Sequence, residues 1–247
     1  GGASQGFRAP NLSDLSRLDS ARSGEAEIPS PGLDPEEFVS YEIGLKHRDG
    51  RWEGQAAFFH TEIRDYIDRV PTGTITAGNR EVRKENTGDG EIQGAEATGR
   101  YRFDDRWSAS AGAAWQIGNV ETYVTSNRES LDRRPMTRIL PPNATLGGRW
   151  DEPAAEGADR SLWIEGLATY VSEQHRLSPG DELDTERVPP RGTPGYNLYT
   201  IRGGRKINNH LEVSMAVENI ANKDYRIHGS GQNEPGTNFI LTVEGRY

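Results

Sequence analysis

The chain has 247 residues, no cysteine and a formal net charge of -9 at pH 7, with only 33% hydrophobic residues. Without cysteine a disulfide-stapled domain, a thiolate metal site and a thiol nucleophile are excluded, and the acidic balance excludes a general nucleic-acid surface, so no nucleic acid is expected as a partner. The longest apolar runs, such as Ala56-Ala57-Phe58-Phe59, are far shorter than the roughly 20 residues of a membrane-spanning helix, but strands that cross a membrane alternate lipid-facing and lumen-facing residues and leave only a weak hydropathy signal.

Period-2 alternation between turn-forming residues predicts ten strands, at 1–7, 39–48, 51–68, 82–103, 107–118, 139–150, 160–176, 195–207, 210–222 and 237–247. In chain order, Val39, Tyr41, Ile43 and Leu45 alternate with Ser40, Glu42, Gly44 and Lys46. Trp107, Ala109, Ala111, Ala113 and Trp115 form a second apolar row, and Leu162, Ile164, Gly166, Ala168 and Tyr170 a third. Leu211, Val213, Met215 and Val217 follow, and Phe239, Leu241, Val243, Gly245 and Tyr247 share the last face. Several of these strands reach ten residues, whereas soluble strands cluster near five or six and tilted membrane strands need about 9–11.

The connections alternate as well. Short links fall at Asp49-Gly50, Asp104-Asp105-Arg106 and Asn208-Asn209-His210, an intermediate one at 151–159, and long ones near 8–38, 69–81, 119–138, 177–194 and 223–236. Short turns on one side and long loops on the other are the pattern of outer-membrane barrels. The expected fold is therefore all-β: part of an antiparallel, up-and-down transmembrane β-barrel of about ten strands, with helix limited to a turn near Leu12 to Leu18. The apolar set Val39, Tyr41, Ile43, Ala109, Ala111, Leu162, Ile164, Leu211, Val213 and Leu241 should face lipid, and Glu42, Lys46, Glu96, Glu165 and Glu212 the other side. Trp52, Trp107, Trp115, Trp150, Trp163 and Tyr247 lie near strand ends, as an interfacial girdle or as ordinary strand enrichment in aromatics.

Enzyme chemistry finds no support. His47, His60, His175, His210 and His228 have no metal-ligand spacing, Gly229-Ser230-Gly231 is not a nucleophile elbow, and no phosphate-binding loop occurs. No catalytic residue, metal or cofactor is expected. Asp181, Glu182, Asp184 and Glu186 could hold a hard cation such as calcium or belong to a solvated loop. Arg128, Arg133, Arg134, Arg138, Arg176 and Arg187 could meet an anionic ligand or be ordinary loop arginines.

Several strings then resemble one family. Gly6-Phe7-Arg8-Ala9-Pro10-Asn11-Leu12, Leu33-Asp34-Pro35-Glu36, and Ser40-Tyr41-Glu42-Ile43-Gly44 stand in the order seen in TonB-dependent outer-membrane receptors. Phe58 through Ile67, Gln93-Gly94-Ala95-Glu96 and Asn219-Ile220-Ala221-Asn222-Lys223-Asp224-Tyr225 continue it, and the chain closes on Tyr247. The resemblance implies that residues 1–247 are the C-terminal part of such a receptor's barrel, with the plug domain absent. It marks Phe7, Arg8, Ala9, Pro10, Pro35, Glu36, Glu42, Gly94, Glu96, Asn219, Asp224 and Tyr225 as motif residues. It further implies that Phe239, Leu241, Val243 and Tyr247 are read by the barrel assembly machinery.

Gly1-Gly2-Ala3-Ser4 carries neither an initiator methionine nor a signal peptide, in keeping with a piece of something longer. The expected function is TonB-energised uptake of a scarce ligand through the outer membrane: an iron chelate such as a ferric siderophore, or haem, or cobalamin. TonB would act on the missing plug, and outer-membrane lipid would surround the wall. A passive porin and a non-transporting β-sheet binding module are the alternatives.

Overall fold

The computed structural model describes residues 1–22, 24–153 and 161–246. In chain order its strands are β1 Gly2–Arg8, β2 Asp19–Arg22, β3 Glu25–Ile28, β4 Glu36–Arg48, β5 Trp52–Arg64, β6 Ile67–Thr76, β7 Asn79–Asn86 and β8 Gly90–Arg102. They continue as β9 Trp107–Thr122, β10 Asp132–Pro135, β11 Asn143–Asp151, β12 Ser161–Val171, β13 Tyr196–Asn208, β14 Leu211–Glu218 and β15 Asn238–Gly245. Two short helices, α1 Leu12–Ser16 and α2 Pro179–Leu183, lie in the loops.

Ten strands form one sheet in the order β1-β4-β5-β8-β9-β11-β12-β13-β14-β15, every neighbouring pair antiparallel, and β10 extends the loop end of β9. The sheet is open, with β1 and β15 as its edges. Up-and-down pairing of this kind leaves each strand beside its neighbour in the sheet order, which satisfies the backbone of every interior strand.

Directly opposed residues share a face, so the registers sort the side chains. One row runs Leu45, Ala56, Ala97, Ala113, Ala144, Tyr170 across six strands, and the adjacent row runs Lys46, Gln55, Thr98, Gly112, Thr145, Thr169. All ten residues expected toward lipid fall on the first, outer face, and Glu42, Lys46, Glu96, Glu165 and Glu212 on the second, inner face. The outer face is openly apolar: Ile43 is 67% exposed, Leu45 73%, Leu146 62% and Leu241 65%.

The short turns are built by side chains. Asp49 Oδ1 accepts the amides of Arg51 (2.8 Å) and Trp52 (2.7 Å), and Asp104 Oδ1 those of Arg106 (2.7 Å) and Trp107 (2.8 Å). Each turn thereby delivers a tryptophan to the start of the next strand. The amides of Trp52 and Arg51 hold the Asp49 carboxyl down at about 2. Trp52, Tyr101, Trp107 and Trp150 gather on the outer face at this end. Trp115 follows Trp107 on the same face of β9, roughly 26 Å further along at about 3.3 Å per residue, which for a strand tilted by about 40° is a rise of about 20 Å within an apolar band about 25 Å tall. Trp163 corrects the girdle expectation: it opposes Asp151 and Gly204 on the inner face, where the Arg149 guanidinium stacks 4.4 Å from its ring.

The long-loop end departs most from expectation. The strand expected at 82–103 is two strands, β7 and β8, and the loop expected at 69–81 is mostly the hairpin β6–β7, turned at Ala77-Gly78 with φ of 51° and 82°. Positive φ at both positions suits a tight hairpin, and Val70 and Val82, each 0% exposed, pack within it. Together with β2 and β3 it forms a second, four-stranded sheet ordered β2-β3-β7-β6, in which β3 and β7 run parallel. Antiparallel pairing thus holds throughout the spanning sheet but not in this loop sheet, because β3 and β7 come from different loops and are free to meet in either sense. Beneath it, Ile63, Val120 and Met136 pack with Phe38, Tyr66, Ile92 and Ile139. The other strands shorten at the same end: β5 stops at Arg64, β11 begins at Asn143, β12 stops at Val171 and β14 at Glu218.

Gly94 shows how tightly the inner face is built. A Cβ there would lie 2.4 Å from the Phe59 ring and 2.6 Å from the Trp115 carbonyl oxygen. Gly94→Ala is therefore expected to destabilise the folded protein by about 1–3 kcal/mol through overpacking, and Gly166→Ala, where nothing lies within 4 Å, by much less. Urea titrations of the two variants, read by the electrophoretic mobility of folded and unfolded protein, check this.

Candidate functional site

The five long connections leave from one end of the sheet, and side-chain clasps hold them over it. The first is centred on the string that begins at Phe7. Arg8, the last residue of β1, donates Nε to Glu36 at 2.5 Å and Nη1 to Asp14 at 2.7 Å. Ala9 and Pro10 lead to Asn11, which caps α1: its Oδ1 accepts the Asp14 amide while Asp14 Oδ2 accepts the Asn11 amide. Pro35 precedes Glu36, whose Oε1 accepts the Ile67 amide at 2.8 Å and so ties the first loop to the second. Lys84 reaches from β7 to Asp14 at 2.8 Å and Glu27 at 3.3 Å, and Arg69 from β6 to Glu27 at 2.7 Å. Glu27 and Glu36 are only 1% and 3% exposed. Burial alone would raise the Asp14 carboxyl, but the Lys84 ammonium, the Asn11 amide and the Arg8 guanidinium outweigh it and hold Asp14 at about 2.

A second clasp joins the loops after β10, β12 and β14. Asp181 and Asp184 are buried beside Arg138, which pairs with both, and Arg187 reaches Asp184 at 3.1 Å. Asp181 and Asp184 are thus not solvated, and guanidinium groups already neutralise them where a calcium ion would have to bind, whereas Glu182 and Glu186 are exposed to solvent. Thr193 Oγ1 lies 2.9 Å from His228 Nδ1, and burial lowers the His228 pKa.

The third clasp is the string from Asn219. Its Nδ2 donates to the carbonyls of Lys223 (2.8 Å) and Pro235 (3.1 Å), and its Oδ1 accepts the Lys223 amide at 2.8 Å. Asp224 accepts from Asn233 at 2.7 Å, and the rings of Tyr225 and Tyr196 lie 4.5 Å apart. Asn219 takes a φ of 48°, a conformation asparagine tolerates better than most residues.

Below the loops, Glu42 and Glu96 line an inner groove of about 1400 Å³ with Lys46, Gln55, Phe59 and Thr145, and Gly94 seats Phe59 beside it. Phe7 lies on the outer face, 75% exposed. Phe239, Leu241 and Val243 form one outer-face stripe, 74%, 65% and 62% exposed; Tyr247 lies outside the described residues. Sequence reasoning missed Asp14, Glu27, Arg69 and Lys84, although Asn11-x-x-Asp14 has the spacing of a capping box. The loop arginines are occupied: Arg128 by Glu85, Arg133 by Glu91, Arg134 by Asp132, and Arg176 by the Gly118 carbonyl and Asn119. Among the described residues no group of three or more His, Cys, Asp or Glu could hold a metal ion.

An antiparallel up-and-down wall, apolar outside, polar inside and looped at one end, is the architecture of an outer-membrane β-barrel. The sequence model of the family described as "TonB dependent receptor-like, beta-barrel" matches residues 1–220, and the chain belongs to that family, a family of outer-membrane proteins. Transferrin-binding protein A of Neisseria gonorrhoeae is 21% identical over 235 residues, 90% of this chain and 25% of that protein. The iron-regulated outer membrane virulence protein of Vibrio cholerae is 36% identical over 109 residues, 40% of this chain and 16% of that protein. Among solved structures, the copper transporter OprC superposes with a TM-score of 0.75 at 18% identity, covering 98% of this chain and 36% of that one. The chain spans about a quarter or less of the length of these curated relatives.

Removing one partner of a buried ion network leaves a charge uncompensated, typically at a cost of about 3–5 kcal/mol. Lys84→Met is expected to speed amide exchange across residues 67–86 while the spanning strands keep their protection. Because Asp14 lies below its ordinary value of 3.8, its contribution, about 2 kcal/mol, is complete above pH ~4 and fades as the pH falls toward 2. Exchange in α1 should accelerate over that window, and in Asp14→Asn at all pH values.

Proposed function

We propose that the chain is the C-terminal part of the barrel of an outer-membrane receptor that takes up a scarce ligand with energy from TonB. The ligand class is an iron chelate such as a ferric siderophore, or haem or cobalamin. The observation that carries this is the family match over residues 1–220, on a wall whose long connections are clasped into a platform above a polar groove. In this proposal Arg8, Asp14, Glu36 and Lys84 keep the loop roots in place, and the ligand meets the loop surfaces and the upper groove. TonB acts through a plug outside this chain, binding and gating do the work, and no covalent catalysis takes part. The names of relatives support iron: one is a transferrin-binding protein and another is iron-regulated.

The test is uptake of radiolabelled ferric siderophores, haem and cobalamin by cells with and without the gene, each with and without a functional TonB. Gene-dependent, TonB-dependent uptake of one ligand is expected. Uptake that persists without TonB would establish a passive pore instead. The same proposal takes Phe239, Leu241, Val243 and Tyr247 as a stripe read by the assembly machinery. Tyr247→Ala is then expected to lower outer-membrane levels sharply and Trp107→Ala only mildly, by quantitative blotting of membrane fractions; equal mild losses would reduce Tyr247 to a girdle aromatic.

A further inference from the structure

Arg205 interrupts the outer face. At the short-turn end of that face His47 pairs with Asp49 and Glu152 continues the row of Leu162, while Glu37, Glu62, Arg64, Glu91, Glu121 and Arg133 sit at the long-loop ends of their strands. Arg205 lies at the opposite end, exposed, four residues before Asn209 in the turn between β13 and β14. Its direct cross-strand partners are Leu162 and Val213, and Val243 lies beyond Val213. Along β13 its outer-face neighbours are Ile201 and Gly203. Its side chain makes no hydrogen bond or ion pair with the described residues: in register Glu165, Glu212 and Glu244 face inward, and Glu152, opposite Leu162, accepts the Leu162 amide at Oε2.

Four residues of a strand tilted by about 40° place Arg205 roughly 10 Å above the turn, at the depth where the apolar band gives way to the interface. A guanidinium here cannot lose its proton and pairs with no counter-charge among the described residues. Its flexible stem lets the head rise toward the interface, where Trp107 and Trp150 mark the same end of the sheet.

We propose that Arg205 binds the phosphate of a glycerophospholipid headgroup in the leaflet on the short-turn side. The planar guanidinium pairs with two phosphate oxygens, and Leu162, Val213 and Val243 receive the acyl chains. This rests on the outer-membrane location alone and is independent of the ligand the receptor carries.

Native mass spectrometry of the intact, detergent-solubilised protein tests it, with phosphatidylglycerol and diacylglycerol of identical acyl chains as probes. Wild type should retain phosphatidylglycerol about tenfold better than diacylglycerol. Arg205→Gln should abolish that preference and Arg205→Lys keep part of it. Arg202→Gln, which removes an inward guanidinium paired with Glu165, should leave it intact. Equal preference in wild type and Arg205→Gln overturns the proposal, as does no preference in wild type, a comparison that needs no variant to fold. Complete displacement of the lipid by millimolar inorganic phosphate would also overturn it, by showing a free-phosphate site.

Discussion

Hydrocarbon offers the peptide group no hydrogen-bond partner, so a strand that crosses it must be paired along its length. The antiparallel order of the spanning sheet meets this demand with the shortest possible connections on one side. The Asp49 and Asp104 turns show how little chain that takes: a single carboxylate gathers two amides and places a tryptophan at the interface. The same constraint sets the alternation, since each residue step swaps the lipid-facing side for the inner one.

Charge is distributed by the same logic. On the inner face, Arg202 pairs with Glu165 at 2.5 Å and Arg149 with Asp151 at 2.7 Å, and these pairs need no lipid contact. At the loop end the carboxylates of Glu27, Glu36, Asp181 and Asp184 are buried as deeply as core apolar residues. Buried ion networks give little net stability but penalise alternative arrangements heavily. They suit a platform that must hold several long loops in one arrangement without a large apolar core. Ile63, Val120 and Met136 supply the modest core there is.

The loop sheet joins these themes. Its parallel β3–β7 pairing brings together segments from two loops, and Lys84, Arg69, Glu27 and Asp14 tie those segments to the root of β1. A string beginning at Phe7 therefore does more than end a strand: Arg8 links β1, β4 and α1 at once. Family membership and local geometry meet at this point, since the resemblance rests on the residues that form the clasp.

The sequence by itself determined the spanning wall. Ten strands, their order, the faces of Tyr41, Ala111, Ile164 and Val213, and the short-turn side were all legible, because a period of two in a lipid-facing strand allows only one register. It also carried the family strings around Arg8, Glu36, Gly94 and Asn219. Tertiary structure alone decided what the loops do. Nothing in the local pattern of Glu27, Arg69 or Lys84 says that they converge, since they come from three strands and two loops. Asp181 and Asp184 read as solvated because their partner Arg138 lies more than forty residues away in sequence. Trp163 was misplaced because strand-end position does not specify a face; the alternation of Leu162 and Ile164 already turned it inward, as its pairing with Gly204 does in the folded sheet. Periodicity is a local property that lipid enforces at every residue; ion pairing between loops depends on distant charges, which only the folded chain brings within reach.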